Sequence, residues 1–198
     1  MGLFKRIFAR KKAMCICRER LAIKRLTLPN KKKVNVCSEC REEIEKLIAR
    51  PIDNTKLDAI LNRIYVDKTM IWKIPWNITA EELINNSPPE MVKQLKESKS
   101  PDIMSYFGII EGVTVDISFY FGENGLDDVM ISPQGLLVDI SRPLINRYGN
   151  PSDQWEMPGM FEESKSEHIT IWEKDGYEIR IDYTTYGFIS ISFAKRSI

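Results

Sequence analysis

The chain predicts an α+β fold in three parts: a small four-cysteine finger, a bridging helix, then helices packed on an antiparallel sheet. Three observations predict it. The only four cysteines among the 198 residues fall in two close pairs, Cys15-Ile16-Cys17 and Cys37-Ser38-Glu39-Cys40. Apolar residues recur at helical spacing through the middle of the chain, and from Ser105 onward the period changes to alternation. The resulting boundaries are 1–50 for a basic finger module, 51–67 for the bridging helix and 68–198 for the sheet domain.

Zn²⁺ prefers a closed tetrahedral shell of thiolates in structural sites, and two short-spaced cysteine pairs separated by a hairpin-sized insert supply one. Cys15, Cys17, Cys37 and Cys40 are therefore the expected ligands of one zinc ion. The insert reads as two short strands, Leu21 to Leu28 and Val34 to Val36, around a Pro29-Asn30 turn and a lysine run. The second pair opens a helix with Ile44, Leu47 and Ile48 on one face and Arg50-Pro51 as its stop. A helix N-terminus also favours thiolate charge. Reduced, unmetallated core cysteines are the plainer alternative, and redox sensing is another. A disulfide-stapled secreted domain would require a signal peptide, which the N-terminus does not resemble.

The Met-Gly-Leu-Phe opening, the basic run and the two cysteine pairs resemble a family of small bacterial zinc modules of treble-clef or zinc-ribbon type, over about residues 1–50. Those modules usually carry Cys-x-x-Cys first. Here the first pair is Cys-x-Cys, with Met14 where the earlier thiol would sit.

The net charge of +1 conceals an asymmetry. Residues 1–40 hold twelve Lys and Arg against two acidic residues, whereas residues 66–198 hold twelve against twenty-one, a balance of −9. The two ends thus face different partners or each other. Lys24, Arg25, Lys31, Lys32 and Lys33 are candidate contacts to nucleic acid or another anion, and a solvated basic face is the bland reading of the same residues. Only Phe4 and Phe8 interleave the basic residues, which disfavours stacking on single strands. Leu3, Phe4, Ile7 and Phe8 share a helical face, and docking of that stripe onto the finger is the simplest account of it. Gly2 is no myristoylation signal, because Arg6 stands where Ser or Thr is required. No run reaches the roughly 18 apolar residues of a membrane span, so the expected place is the cytoplasm.

Beyond the finger, Leu57, Ile60, Leu61 and Ile64 form one amphipathic helix. Thr79-x-x-Glu82 and Ser87-Pro88-Pro89-Glu90 match capping boxes that start two more. Val113, Val115, Ile117, Phe119 and Phe121 alternate with polar residues in a half-buried strand, and Glu123-Asn124-Gly125 turns it into a second strand over Leu126 to Ile131. Ser132-Pro133 is expected to start a helix that carries Leu136, Leu137, Ile140, Leu144, Ile145 and Tyr148 inward and ends at Gly149. Strands at Ile169 to Glu173, Tyr177 to Tyr183 and Phe188 to Phe193 complete the sheet.

Ile74-Pro75-Trp76-x-x-Thr79-x-x-Glu82, Phe121-x-x-Asn124-x-Leu126, Tyr148-Gly149-x-Pro151 and Trp155 resemble a group of bacterial two-layer α+β domains. That group includes the β-lactamase inhibitor proteins and the outer-membrane-assembly lipoproteins, and the likeness spans about residues 68–195. It implies a scaffold that presents a sheet face to another macromolecule. An envelope role is not carried over, because no signal peptide or lipidation cysteine is read here.

No catalytic residue is assigned. His168, the only histidine, opens a strand without a serine or cysteine motif; the enzymatic alternative is a hydrolase pairing it with Asp182 or Glu167. Asp127-Asp128 and Glu162-Glu163 read as solvated turns, and no glycine loop for nucleotides is present. Trp72, Trp76, Trp155 and Trp172 are core residues or binding anchors. The expected function is a non-catalytic, zinc-containing binding protein whose acidic domain engages another protein, with nucleic-acid binding by the finger as the alternative.

Overall fold

In a computed structural model the described residues are 13–15, 20–98, 100, 102–138, 148–158, 166–184 and 187–196, and the side chains at 155–158, 166–167 and 184 are left aside. The fold is mixed α+β. In chain order it runs β1 (Lys24–Thr27), β2 (Lys33–Val36), α1 (Ser38–Ile48), β3 (Pro51–Ile52), α2 (Asn54–Arg63), β4 (Met70–Ile71), β5 (Ile74–Pro75), α3 (Ala80–Asn86), α4 (Pro89–Lys96), β6 (Ile103–Ile110) and β7 (Val113–Gly122). It continues with β8 (Gly125–Pro133), β9 (Leu136–Leu137), β10 (Asp153–Pro158), β11 (Ser166–Lys174), β12 (Tyr177–Thr184) and β13 (Ile189–Lys195).

Seven strands form one antiparallel sheet in the order β10-β11-β12-β13-β8-β7-β6. β6 and β10 join the five strands that alternation predicts, one at each edge. Cross-strand register lines up Trp172, Ile179, Phe193, Val129, Phe119 and Met104 in a single row over six strands. All six are buried, and Leu57, Ile60 and Leu61 of α2, Leu83 of α3 and Leu95 of α4 belong to the same core. A register shift beside Tyr120 leaves Asp127 as an extra residue in β8, so Leu126 and Val129 both face inward although they are three apart.

Alternation sends the intervening residues to the opposite face. One row there reads Glu173, Glu178, Ala194, Asp128, Tyr120 and Ile103, and the next Ile171, Arg180, Ser192, Met130, Ser118 and Ser105.

Helix starts follow local chemistry. Thr79 and Glu82 form the expected capping box, with Thr79 Oγ1 accepting from the Glu82 amide at 3.2 Å and Glu82 Oε2 accepting from the Thr79 amide at 2.9 Å. The second expected box does not form. Pro88 caps α4, and the Ser87 hydroxyl instead donates back to the Leu83 carbonyl at 2.6 Å.

The helix expected from Ser132-Pro133 is also corrected. Those two residues end β8, and Leu136–Leu137 form β9, a parallel partner of β3. The remainder of that expected helix, 139–147, lies outside the described residues. Gly135 brings β9 close enough that a Cβ there would stand 2.4 Å from the Arg50 carbonyl oxygen.

β4 and β5 are joined by Trp72 and Lys73, with φ of 52° and 66°. Both lie in the left-handed region that a two-residue hairpin of this hand requires and that Asn-Gly normally fills. Each such non-glycine residue costs of order 1–3 kcal/mol, which the surroundings must offset. Here they do. Trp72 donates its amide to the Tyr65 carbonyl at 2.8 Å and its indole N–H to the Arg63 carbonyl at 3.1 Å. Asp67 Oδ1 accepts from the Thr69 amide and hydroxyl, both at 2.7 Å, and Trp76 anchors its indole N–H on the Asp67 carbonyl at 2.8 Å.

Candidate metal centre

β1 and β2 pair antiparallel, and the turn between them is closed by Leu28, whose amide donates to the Lys32 carbonyl and whose carbonyl accepts from the Lys31 amide. Lys31 takes a φ of 65° at its tip. Chain preceding β1 folds back through a bridge between Met14 and Leu21, with the Cys15 amide donating to the Arg20 carbonyl at 2.9 Å. This places Cys15 beside the start of α1.

Cys37 is the N-cap of α1 and Cys40 lies in its first turn. The Cys37 side chain makes no cap hydrogen bond, which leaves its sulfur directed at other work. The Sγ atoms of Cys15, Cys37 and Cys40 all lie within 4.8 Å of one another. Thiolates sharing one tetrahedral zinc stand about 3.8 Å apart, as follows from a Zn–S length of about 2.3 Å, so three sulfurs within 4.8 Å of one another could hold a metal ion. Cys15 and Cys37 are both 2% exposed. The Cys37 amide donates to Cys15 Sγ at 3.0 Å, an N–H···S contact that stabilises sulfur carrying negative charge. Two sulfurs at the positive end of a helix add to that preference. The fourth expected ligand, Cys17, lies outside the described residues.

Around the sulfurs, Leu26, Leu28, Val34, Val36 and Ile44 form a small core that is completed by Leu136 of β9 and flanked by Phe188. Spacing of cysteines revealed the thiols; Leu136 carries no such signal and enters only through the tertiary fold. On the hairpin, Arg25, Lys31, Lys32 and Lys33 are exposed, while Lys24 Nζ donates to Glu45 Oε1 at 2.9 Å. Lys24 and then Arg41 hold the Glu45 carboxyl below the usual carboxylate range.

His168 stacks on Tyr183 with ring centroids 4.6 Å apart. It pairs with Tyr183 in register, so alternation sends Asp182 to the other face of the sheet; the Glu167 side chain lies outside the described ones. Asp182 instead receives both hydrogen bonds from Arg180 Nε, each 3.0 Å. Asp128 sits in β8 rather than in a turn, and burial pushes its carboxyl up to about 6, with Arg180 opposing and Glu178 adding to the rise. Glu162 and Glu163 lie outside the described residues. Trp76 and Trp172 are core, and Trp72 packs against that core from the β4–β5 turn.

No protein family and no curated protein matches the sequence. A solved structure matches at low identity. It is the DUF4309 family protein YjgB from Bacillus subtilis, with 10% identity and a TM-score of 0.45 over 73% of this chain and 98% of that one. Among the described residues, no helix is long and apolar enough to cross a membrane.

Proposed function

We propose that this protein is a non-catalytic, cytoplasmic, zinc-containing binding protein. In this reading Cys17 joins Cys15, Cys37 and Cys40 around one zinc ion in a treble-clef or zinc-ribbon finger, and the acidic sheet domain engages a basic protein, as an inhibitor or immunity-like factor does. The observation that carries it is the trio of sulfurs within 4.8 Å at a helix start. The acidic excess of residues 66–198, twenty-one Asp and Glu against twelve Lys and Arg, supports the partner's charge. The placement of Asp182 on the face opposite His168 favours a binding role over a hydrolase pairing those two.

Metal analysis of protein purified without added zinc tests the first half. About one equivalent is expected, reduced in Cys37→Ser; less than half an equivalent in folded wild type would make these ordinary cysteines. Affinity capture from the native host, run beside Glu173→Lys with Glu178→Lys, tests the second. A basic protein held by the wild type and lost from the variant is expected, and equal capture by both rejects the acidic face.

The exposed Arg25, Lys31, Lys32 and Lys33 support a second reading, nucleic-acid binding by the finger. Contacts from runs of this kind reach phosphates rather than base edges. With roughly four to six phosphates neutralised, association with a generic duplex should weaken by about two to three decades between 50 and 200 mM salt. No association at low salt rejects it.

A further inference from the structure

We propose that the cleft between the Trp72-Lys73 turn and the helices α3 and α4 is a binding site for an extended peptide segment of a partner, one in which an acidic and a basic side chain flank an apolar residue. The cleft holds about 710 Å³, within the range of ligand sites rather than of packing defects. Its apolar lining comes from Trp72, Pro75, Pro88 and Met91, and its polar groups are Lys73, Glu82, Asn77 and Asn86.

Two features point to recognition rather than to an idle crevice. The first is rigidity in an unfavourable shape. Trp72 and Lys73 occupy the left-handed region at the lip, and local strain held in place by its surroundings collects at binding sites. Lys73 is exposed, so a glycine there would give the same turn without strain and without loss of packing. The floor is fixed as well: Gly125, at φ +99°, lets the β7–β8 turn approach until a Cβ would stand 2.6 Å from the Asn77 carbonyl carbon, and the Leu126 amide donates to the Ile78 carbonyl at 3.0 Å.

The second feature is the polar inventory. One cation stands on the turn, one carboxylate on α3, and two exposed carboxamides on the lining. Glu82 uses Oε2 for both of its hydrogen bonds to Thr79, and those bonds hold its carboxyl below the usual range, so it faces the cleft as an anion. Glu82 and Asn86 are one helical turn apart and share a face of α3. Asn86 Nδ2 donates to the Glu82 carbonyl at 2.8 Å, which turns its side-chain oxygen to accept from a peptide N–H, while Asn77 can both donate and accept. An apolar small molecule would make no use of Lys73 or Glu82, and a simple anion would meet Glu82. This cleft is built on the layer that covers the sheet's core face, so the proposal does not depend on the acidic face of the preceding section.

Selection of a displayed random heptapeptide library on the full-length protein, followed by fluorescence-anisotropy titration of the enriched peptide, tests it. The expected peptide carries an acidic and a basic residue on either side of an apolar one and saturates at one per protein. Affinity should fall at least tenfold in Met91→Trp, which fills the cleft. In Lys73→Glu it should fall as far, and selection on that variant should return a basic residue in place of the acidic one. Lys73→Gly guards against misfolding: it should melt about 2–4 °C higher than wild type and still bind at least fivefold more weakly. Absence of enrichment, enrichment without the charge pattern, or equal binding to wild type and all three variants would overturn the proposal.

Discussion

Asp128 is a carboxyl placed where water reaches it poorly. Its Oδ1 is buried and lacks a hydrogen-bond partner among the described residues, and desolvation raises its titration from 3.8 to about 6. A carboxyl raised in the folded state stabilises the fold below its unfolded value and loses that contribution as the pH climbs through the folded one. Asp128→Asn should therefore melt above wild type at pH 8, by roughly 1–3 kcal/mol in stability, and match it near pH 4. Denaturant titrations at the two pH values check this, and a gap that widens toward acid would refute it. Adjacent carboxylates without the framing of a metal or glycosidase site read as a solvated turn, although alternation also runs a strand through Leu126 to Ile131. The extra residue at Asp127 is what turns its neighbour onto the sheet, and a bulge leaves no mark on local composition.

Edge strands of a sheet invite further pairing, and β6 is guarded by side chains that stand in for a strand. Gln94 of α4 accepts from the Phe107 amide at 2.9 Å and donates to the Phe107 carbonyl at 3.4 Å, while Ser98 Oγ accepts from the Ser105 amide at 3.0 Å. Phe107 and Ile109 are 57% and 76% exposed beside this guard. Gln94→Ala should lose about 1 kcal/mol of stability and associate with itself as concentration rises, and adding Ile109→Lys should suppress the association. Sedimentation velocity decides; a variant that stays like wild type removes the guarding role. At this scale the sequence was informative where signals are local, as in the Thr79-Glu82 box and the alternation of β7 and β8. β9 escaped because its pairing partner, Pro51–Ile52, lies more than eighty residues earlier, and a window around Ser132-Pro133 contains nothing of it.

Across the whole molecule the cysteine finger and the sheet share a boundary. Leu136 is fully buried in the finger's core, the Leu137 amide donates to the Gly187 carbonyl at 2.8 Å, and the Val138 amide donates to the Ile52 carbonyl at 3.0 Å. Stripping metal should thus do more than loosen residues 13–50. Faster hydrogen exchange is expected at Leu137 and Val138 as well, whereas Ile179 and Phe193, deep in the sheet, should keep their protection. Leu136→Ala should cost about 2–5 kcal/mol and lower metal retention together with stability. Unchanged exchange at Leu137 and Val138 after chelation would show that the two regions open independently. Cysteine spacing made the sulfur cluster legible, but no local signal ties Leu136 to it.

The same shared boundary constrains how the chain is made. The ribosome delivers residues 13–50 first, yet the apolar plug that closes their core is synthesised about ninety residues later, which at about 5–20 residues per second is a delay of roughly 4–20 seconds. During that interval the four thiols are exposed to whatever the compartment offers, so under the metal-binding reading proposed above early metal capture would keep a half-built finger from oxidising or aggregating before its last core residue arrives.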